Sequence, residues 1–238
     1  MSEEHVTIML PSGKEVNITS PTLSGNNIIT NPALVRSGEN TQRFIESVSD
    51  LSLSDVKGLL IGDLTYMLIQ VRMLHRGEEY EFRAHCPHCG DVATHTINLN
   101  DLEVYRLDRE KVTVNENGNY VFEVTLPKKG DTLTARLLKA SDQPRLNKIR
   151  KNESHRILSA LMSMRTIAIN GQPNTNPVYF DTLHPLDEEH FSRVYDEFDC
   201  GYDTTVELAC NNCYSEFDFD VPFDSTFFLG NRKSSRKK

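Results

Sequence analysis

Alternation and helical spacing of apolar positions divide the chain into recognisable pieces. Val6 to Val16 alternates around Pro11-Ser12-Gly13, which predicts a β-hairpin. Tyr120 to Thr134 does the same around Pro127-Lys128-Lys129-Gly130, with one extra turn residue. Leu64, Met67, Leu68, Val71 and Leu74 recur at i, i+3, i+4, i+7 and i+10, the mark of one buried helical face. Phe191, Val194, Tyr195 and Phe198 predict a second such helix. The longest helical stretch is expected over 141–169, opened by Ser141-Asp142-Gln143-Pro144, with Met162 and Met164 as core filler. Phe44, Ile45, Val48 and the run from Leu51 to Leu60 predict short helical pieces, with Ser54-Asp55 as a start. The Asn-, Ser-, Pro- and Gly-rich stretch from about Ser20 to Ser37 reads as a loop or extended contact arm. Pro173 to Pro177 reads as another exposed loop.

Four of the five cysteines form two pairs, Cys86-Pro87-His88-Cys89 and Cys210-Asn211-Asn212-Cys213. A C-x2-C step lets two thiolates on one tight turn converge on one ion, and two such turns complete the four-sulfur set that suits zinc. Four protein ligands leave no open position, so such a site is structural rather than catalytic. Each pair lies between strand-like runs: Tyr80–Ala84 and Val92–Ile97 for the first, Thr205–Ala209 and Phe217–Val221 for the second. Thiol–disulfide chemistry at Cys-Pro-His-Cys competes with this reading, but such motifs open a helix, and here strand alternation resumes after Gly90. Metal-free buried thiols are the bland alternative. His85, His88 and His95 are read as solvent-facing or hydrogen-bonded rather than as ligands, and Cys200 as a small core residue.

About 120 residues separate the pairs, against ~15–20 in ordinary zinc ribbons. An internal duplication accounts for the gap. A shift of 124 positions lays Cys86 on Cys210, Cys89 on Cys213, Gly77 on Gly201 and Asp63 on Asp187. Met67, Val71 and Leu74 then fall on Phe191, Tyr195 and Phe198. Each Asp is expected to cap a helix start, and each Gly to supply the left-handed residue after a helix end. The two predicted hairpins precede the two predicted helices in the same order. The expected fold class is therefore α+β: two related halves, each hairpin, helices, then strand–CxxC–strand, joined through a zinc-ribbon-like four-cysteine site. The halves are placed at 1–110 and 111–229, with a basic disordered tail at 230–238.

Composition narrows the function. No run of 18 apolar residues exists, which excludes a membrane-spanning helix. Met1-Ser2-Glu3-Glu4-His5 lacks a basic or apolar leader region, so no secretory signal is expected and a reducing cytosol is the expected compartment. Lys plus Arg number 26 against 34 Asp plus Glu, a net charge of -8, which disfavours nucleic acid as partner. The sequence has no G-x-S-x-G, phosphate-cradling Gly-rich loop or H-E-x-x-H, so neither an enzyme nor a small-molecule substrate is expected. Asp187-Glu188-Glu189 is read as an acidic first helical turn. The tail from Gly230 concentrates five basic residues, read as a solubilising end or as an arm for an acidic partner.

Leu10-Pro11-Ser12-Gly13-Lys14, Leu60-Ile61-Gly62-Asp63, and Gly77-Glu78-Glu79-Tyr80-Glu81-Phe82 leading into Cys86-Pro87-His88-Cys89-Gly90 together resemble the T4-like phage baseplate family, over roughly residues 6–225. The resemblance implies a non-enzymatic structural or assembly protein of a contractile phage tail baseplate, at its hub. The implied partners are other phage tail and baseplate proteins. The implied location is the bacterial host cytoplasm during assembly and the virion tail. The second knuckle, with Asn211-Asn212 and no following Gly, departs from the pattern. A zinc-ribbon nucleic-acid or polymerase-associated module is the alternative function.

Overall fold

The computed structural model describes residues 5–174, 176–222 and 227–228. The basic tail expected at 230–238 lies outside them. The chain opens with a hairpin of β1 (Val6–Met9) and β2 (Glu15–Ile18). Its turn closes by Leu10 N–H to Lys14 O and Gly13 N–H to Leu10 O, both 2.8 Å, with Gly13 at φ 84°. Helices α1 (Leu23–Thr30), α2 (Pro32–Ser37), α3 (Asn40–Ser47), α4 (Leu53–Gly58) and α5 (Ile61–Arg76) follow. Then β3 (Glu79–His85) and β4 (Val92–Asn98) form a second hairpin.

After the short strands β5 (Val104–Tyr105) and β6 (Thr113–Val114) comes the hairpin of β7 (Tyr120–Thr125) and β8 (Thr132–Arg136). It grows into an antiparallel sheet of order β10-β9-β8-β7-β6, through α6 (Gln143–Asn152), α7 (Ile157–Arg165), β9 (Thr166–Ile169) and β10 (Gln172–Pro173). Helix α8 (Pro185–Phe198) leads to β11 (Gly201–Tyr202), and β12 (Thr205–Ala209) pairs with β13 (Glu216–Asp220) in a final hairpin.

The stretch Ser20–Ser37 is helical, not an extended arm. Its polar residues are caps: Thr22 accepts from Gly25 N–H, and Asn31 from Ala33 N–H and Leu34 N–H. Pro32 opens α2 and Gly38, at φ 77°, ends it, while Ile29 docks in the core. The expected long helix over 141–169 is broken. Glu153 leaves the helical conformation, a 3-10 turn spans Ser154–Arg156, and the β-branched run Thr166–Ile169 joins the sheet instead. Met162 and Met164 are core residues. Pro173 ends β10, and Pro177–Thr182 forms a 3-10 turn.

Among the described residues the buried ones form three clusters. The first gathers both strands of the opening hairpin, α3, α5 and β3, and also Leu208, Cys210, Phe217 and Val221 of the last hairpin. The second lies between the five-stranded sheet and α8, around Phe122, Leu133, Phe191 and Tyr195. The third, small, packs Leu146 and Ile149 of α6 against Ala160 and Met164 of α7. The last hairpin thus leaves the α8 core and buries its inner face against the first cluster.

Candidate metal centre

The two C-x2-C turns are built alike. In the first, Cys86 N–H donates to Asp91 O and Gly90 N–H to Cys86 O, both 2.9 Å. In the second, Cys210 N–H donates to Ser215 O and Tyr214 N–H to Cys210 O, both 3.0 Å. The fourth turn residue is left-handed in each: Gly90 at φ 74° and Tyr214 at φ 60°. The missing glycine of the second turn therefore does not change its backbone; Tyr214 carries the strain that a side chain brings there.

Alternation on β3 turns Tyr80, Phe82 and Ala84 inward, and on β12 turns Leu208 inward. The hairpins meet through these faces. Phe82 stacks on Phe219 with ring centroids 5.4 Å apart and planes 6° from parallel. Tyr80 Oη donates to Pro222 O at 2.9 Å. At the tips, Cys86 Sγ lies 3.7 Å from Cys213 Sγ, and Cys89 Sγ 3.6 Å from Cys210 Sγ. All four sulfurs lie within 4.8 Å of one another.

That spacing fits a metal tetrahedron. Zn–S bonds of ~2.3 Å place sulfurs ~3.8 Å apart. Cys86 and Cys210 are buried, Cys213 half-buried and Cys89 exposed. Asn212 supports the sulfurs, its N–H pointing at Cys210 Sγ (3.4 Å) and its side-chain amide at Cys89 Sγ (3.7 Å). The thiols are unequal. Hydrogen bonds from Ser215, side chain then backbone, bring Cys213 down to about 6 despite desolvation. At Cys89 the Asp91 backbone bond acts downward, but desolvation and the Cys213 and Cys210 sulfurs together push it up to about 11. Cys86 ends a strand and no helix begins there, so its thiol lacks the helix-end field that activates disulfide oxidoreductases.

His85 and His88 are exposed, and His95 is half-buried against the Phe82 ring; none belongs to the sulfur cluster. Cys200 is buried away from it, its thiol pushed up by burial and then by the charges of Asp63 and Asp199.

Asp63 and Asp187 are not the N-cap residues of their helices, although the Asp63 carboxylate also bonds the Leu60 backbone. Leu60 and His184 occupy the N-cap positions, and His184 Nδ1 accepts from Leu186 N–H. Both carboxylates are buried and reach a hairpin turn instead. Asp63 Oδ1 accepts from Ser12 N–H at 2.9 Å. Asp187 accepts from Lys128 N–H at 2.6 Å and Lys129 N–H at 3.2 Å. Burial raises the Asp63 carboxyl above its ordinary 3.8, against the pull of the Ser12 bond. Each helix that leads toward a cysteine hairpin is thereby tied to an upstream hairpin turn. Neither contact has a local sequence signal; the matching of Asp63 to Asp187 under the 124-residue shift was its one trace.

Sequence reasoning also missed Arg72 and the packing role of Gly62. A Cβ on Gly62 would sit 1.6 Å from Cys200 O, so only glycine lets α5 meet the backbone entering β11. Arg72 is buried and donates to Gly77 O, Glu79 O and Phe227 O, stitching the α5–β3 junction to a distant part of the chain.

Among the described residues no helix is long and apolar enough to cross a membrane. No curated protein and no solved structure matches the chain. A family model does, over residues 1–229 of 238, under the description T4 bacteriophage base plate protein. With that match spanning both hairpins and the helices that carry them, the chain belongs to the T4 bacteriophage base plate protein family.

Proposed function

We propose that the chain is a non-enzymatic structural or assembly protein of the hub region of a contractile phage tail baseplate. In this reading Cys86, Cys89, Cys210 and Cys213 hold one structural zinc ion. Its partners are other tail and baseplate proteins, met in the host cytoplasm during assembly and then in the virion tail. The observation that carries the reading is the four-sulfur cluster, assembled from hairpins about 120 residues apart in a chain of the baseplate family. Zinc supplies a cross-link there. The free energy of closing the site adds to that of folding, so the ion makes one stiff block out of two distant stretches of chain. A rigid block suits a part whose work is protein–protein contact.

The two halves, 1–110 and 111–229, are proposed to be copies of one unit. Three repeated details support this: the matching turn bonds of the two knuckles, the two aspartates bonded to hairpin turns, and Gly77 and Gly201, both at positive φ after a helix.

Elemental analysis of the purified chain tests the metal reading. One zinc per chain is expected; none, or two, would overturn a shared four-thiolate site. The hub reading is tested by imaging tagged protein in assembling and finished particles. Label at the centre of the baseplate is expected, and label confined to the baseplate periphery would overturn it.

A further inference from the structure

Charge is distributed unevenly over this acidic chain. Between Arg136 and Arg165 there are eight Lys or Arg against two Asp or Glu, in a protein of net charge -8. Helix α6 concentrates the excess. It buries Leu146 and Ile149, and exposes Arg145, Lys148, Arg150 and Lys151. Among the described residues none of these four forms an ion pair.

The final hairpin is the opposite. Its inner face, Val206, Leu208, Phe217 and Phe219, packs on the first core cluster. Its outer face carries Glu207, Glu216, Asp218 and Asp220, all exposed. Glu207 stands directly across from Asp218 in the β12–β13 register. Like charges in that position destabilise a ladder, and no Lys or Arg among the described residues pairs with them. The β3–β4 hairpin avoids this: Glu81 faces Thr96, and Arg83 faces Thr94. A self-repelling face on the second hairpin alone marks a surface shaped by something other than its own stability.

We infer that the two surfaces recognise each other between copies: α6 of one molecule docks on the outer face of β12–β13 of a second. The lengths agree. Ten helical residues span ~15 Å and a five-residue strand ~17 Å, so Arg145, Lys148 and Lys151, three residues apart on one stripe of α6, run alongside the carboxylates of the hairpin, with Arg150 at the flank. The two surfaces are different patches of one chain, so the contact closes reciprocally as a two-fold dimer with two copies of it, or runs head-to-tail as a ring or filament. Tyr214, 83% exposed at the hairpin tip, supplies an aromatic anchor at the edge of the contact. Repulsion between the facing Glu207 and Asp218 carboxylates is relieved when the cations arrive. An acidic surface elsewhere on a second copy, or the basic tail acting in place of α6, gives different outcomes below.

Sedimentation of the full, metal-loaded chain at about 50 μM tests this, in low salt (about 50 mM) and high salt (about 500 mM). Dimers or larger assemblies are expected in low salt, falling to monomer in high salt. Reversal of the helix (Lys148→Glu, Arg150→Glu, Lys151→Glu) should leave monomer in low salt, and so should reversal of the hairpin (Glu207→Lys, Asp218→Lys). The two reversals combined in one chain make the surfaces complementary again and should restore assembly. Circular dichroism confirms that each variant is folded. Where a reversed chain fails to fold, the neutral set (Lys148→Gln, Arg150→Gln, Lys151→Gln, Glu207→Gln, Asp218→Asn) replaces it and should weaken association at least tenfold. Monomer under every condition overturns the inference. So does association that survives the hairpin reversal, which would place the contact on another acidic surface. So does association that is lost on deleting 230–238 but indifferent to the helix reversal. Metal content, read on the same samples, separates failure of this contact from failure of the zinc site.

Discussion

The hairpins β3–β4 and β12–β13 agree on the inside and differ on the outside. Both place two cysteines on one tight turn, close it with the same pair of backbone bonds, and send alternate side chains into one core cluster. Their outer faces diverge: the first mixes Glu79, Glu81, Arg83 and His85 with threonines, while the second is wholly acidic among its charged positions. At the left-handed turn position one carries Gly90 and the other Tyr214. The cysteines and the path of the turn backbone are shared. Residues that face a neighbour are the ones that vary, because surface changes cost little stability and decide contacts.

If the sulfurs work as one site, the two hairpins must fail together. Cys210→Ala should destabilise the metal-loaded chain as much as Cys86→Ala, each on the order of 5 kcal/mol or more, measured by chemical denaturation. Damage from Cys86→Ala alone would mean that the second hairpin contributes no ligand. The two helices that carry the hairpins should respond unequally at the position two residues into each. Gly62→Ala should cost about 3 kcal/mol or more, since its Cβ has no space beside Cys200 O. Leu186→Ala, at the matching place in α8 where the side chain is exposed, should change the melting free energy by about 0.5 kcal/mol or less. The effects at the turns are modest and have opposite signs. Gly90→Ala should cost ~1 kcal/mol, and Tyr214→Gly should stabilise by somewhat less, because glycine's extra freedom in the unfolded chain offsets part of the strain relieved. Equal signs in thermal melts would show that one turn abandons the left-handed residue in solution.

Much of the fold was legible because it is written locally. The opening hairpin, the β7–β8 hairpin, α5, α8 and both knuckles follow from period-2 or 3.6-residue patterns within some fifteen residues of chain. Errors fell where the same residue type serves two purposes. Asn31, Pro32 and Gly38 are punctuation in a loop and equally the start and end of a short helix; α2 buries none of its residues, and the bonds from Ala33 N–H and Leu34 N–H to the Asn31 side chain set its start. Asp63 and Asp187 resemble caps in sequence, yet their partners are turns at Ser12 and at Lys128–Lys129, 51 and 59 residues away.

The sequence by itself determined the two cysteine turns, the strands that flank them, and the helices that lead to them, since each depends on neighbours a few residues apart. Only the tertiary structure decided which distant pieces meet: the second hairpin against the first core, Gly62 against Cys200, the carboxylates against their turns, and four sulfurs within 4.8 Å. Contacts across about 120 residues leave no periodic trace in a chain. They arise from burying apolar faces that no single hairpin or helix can cover alone, and that choice is made by the whole molecule.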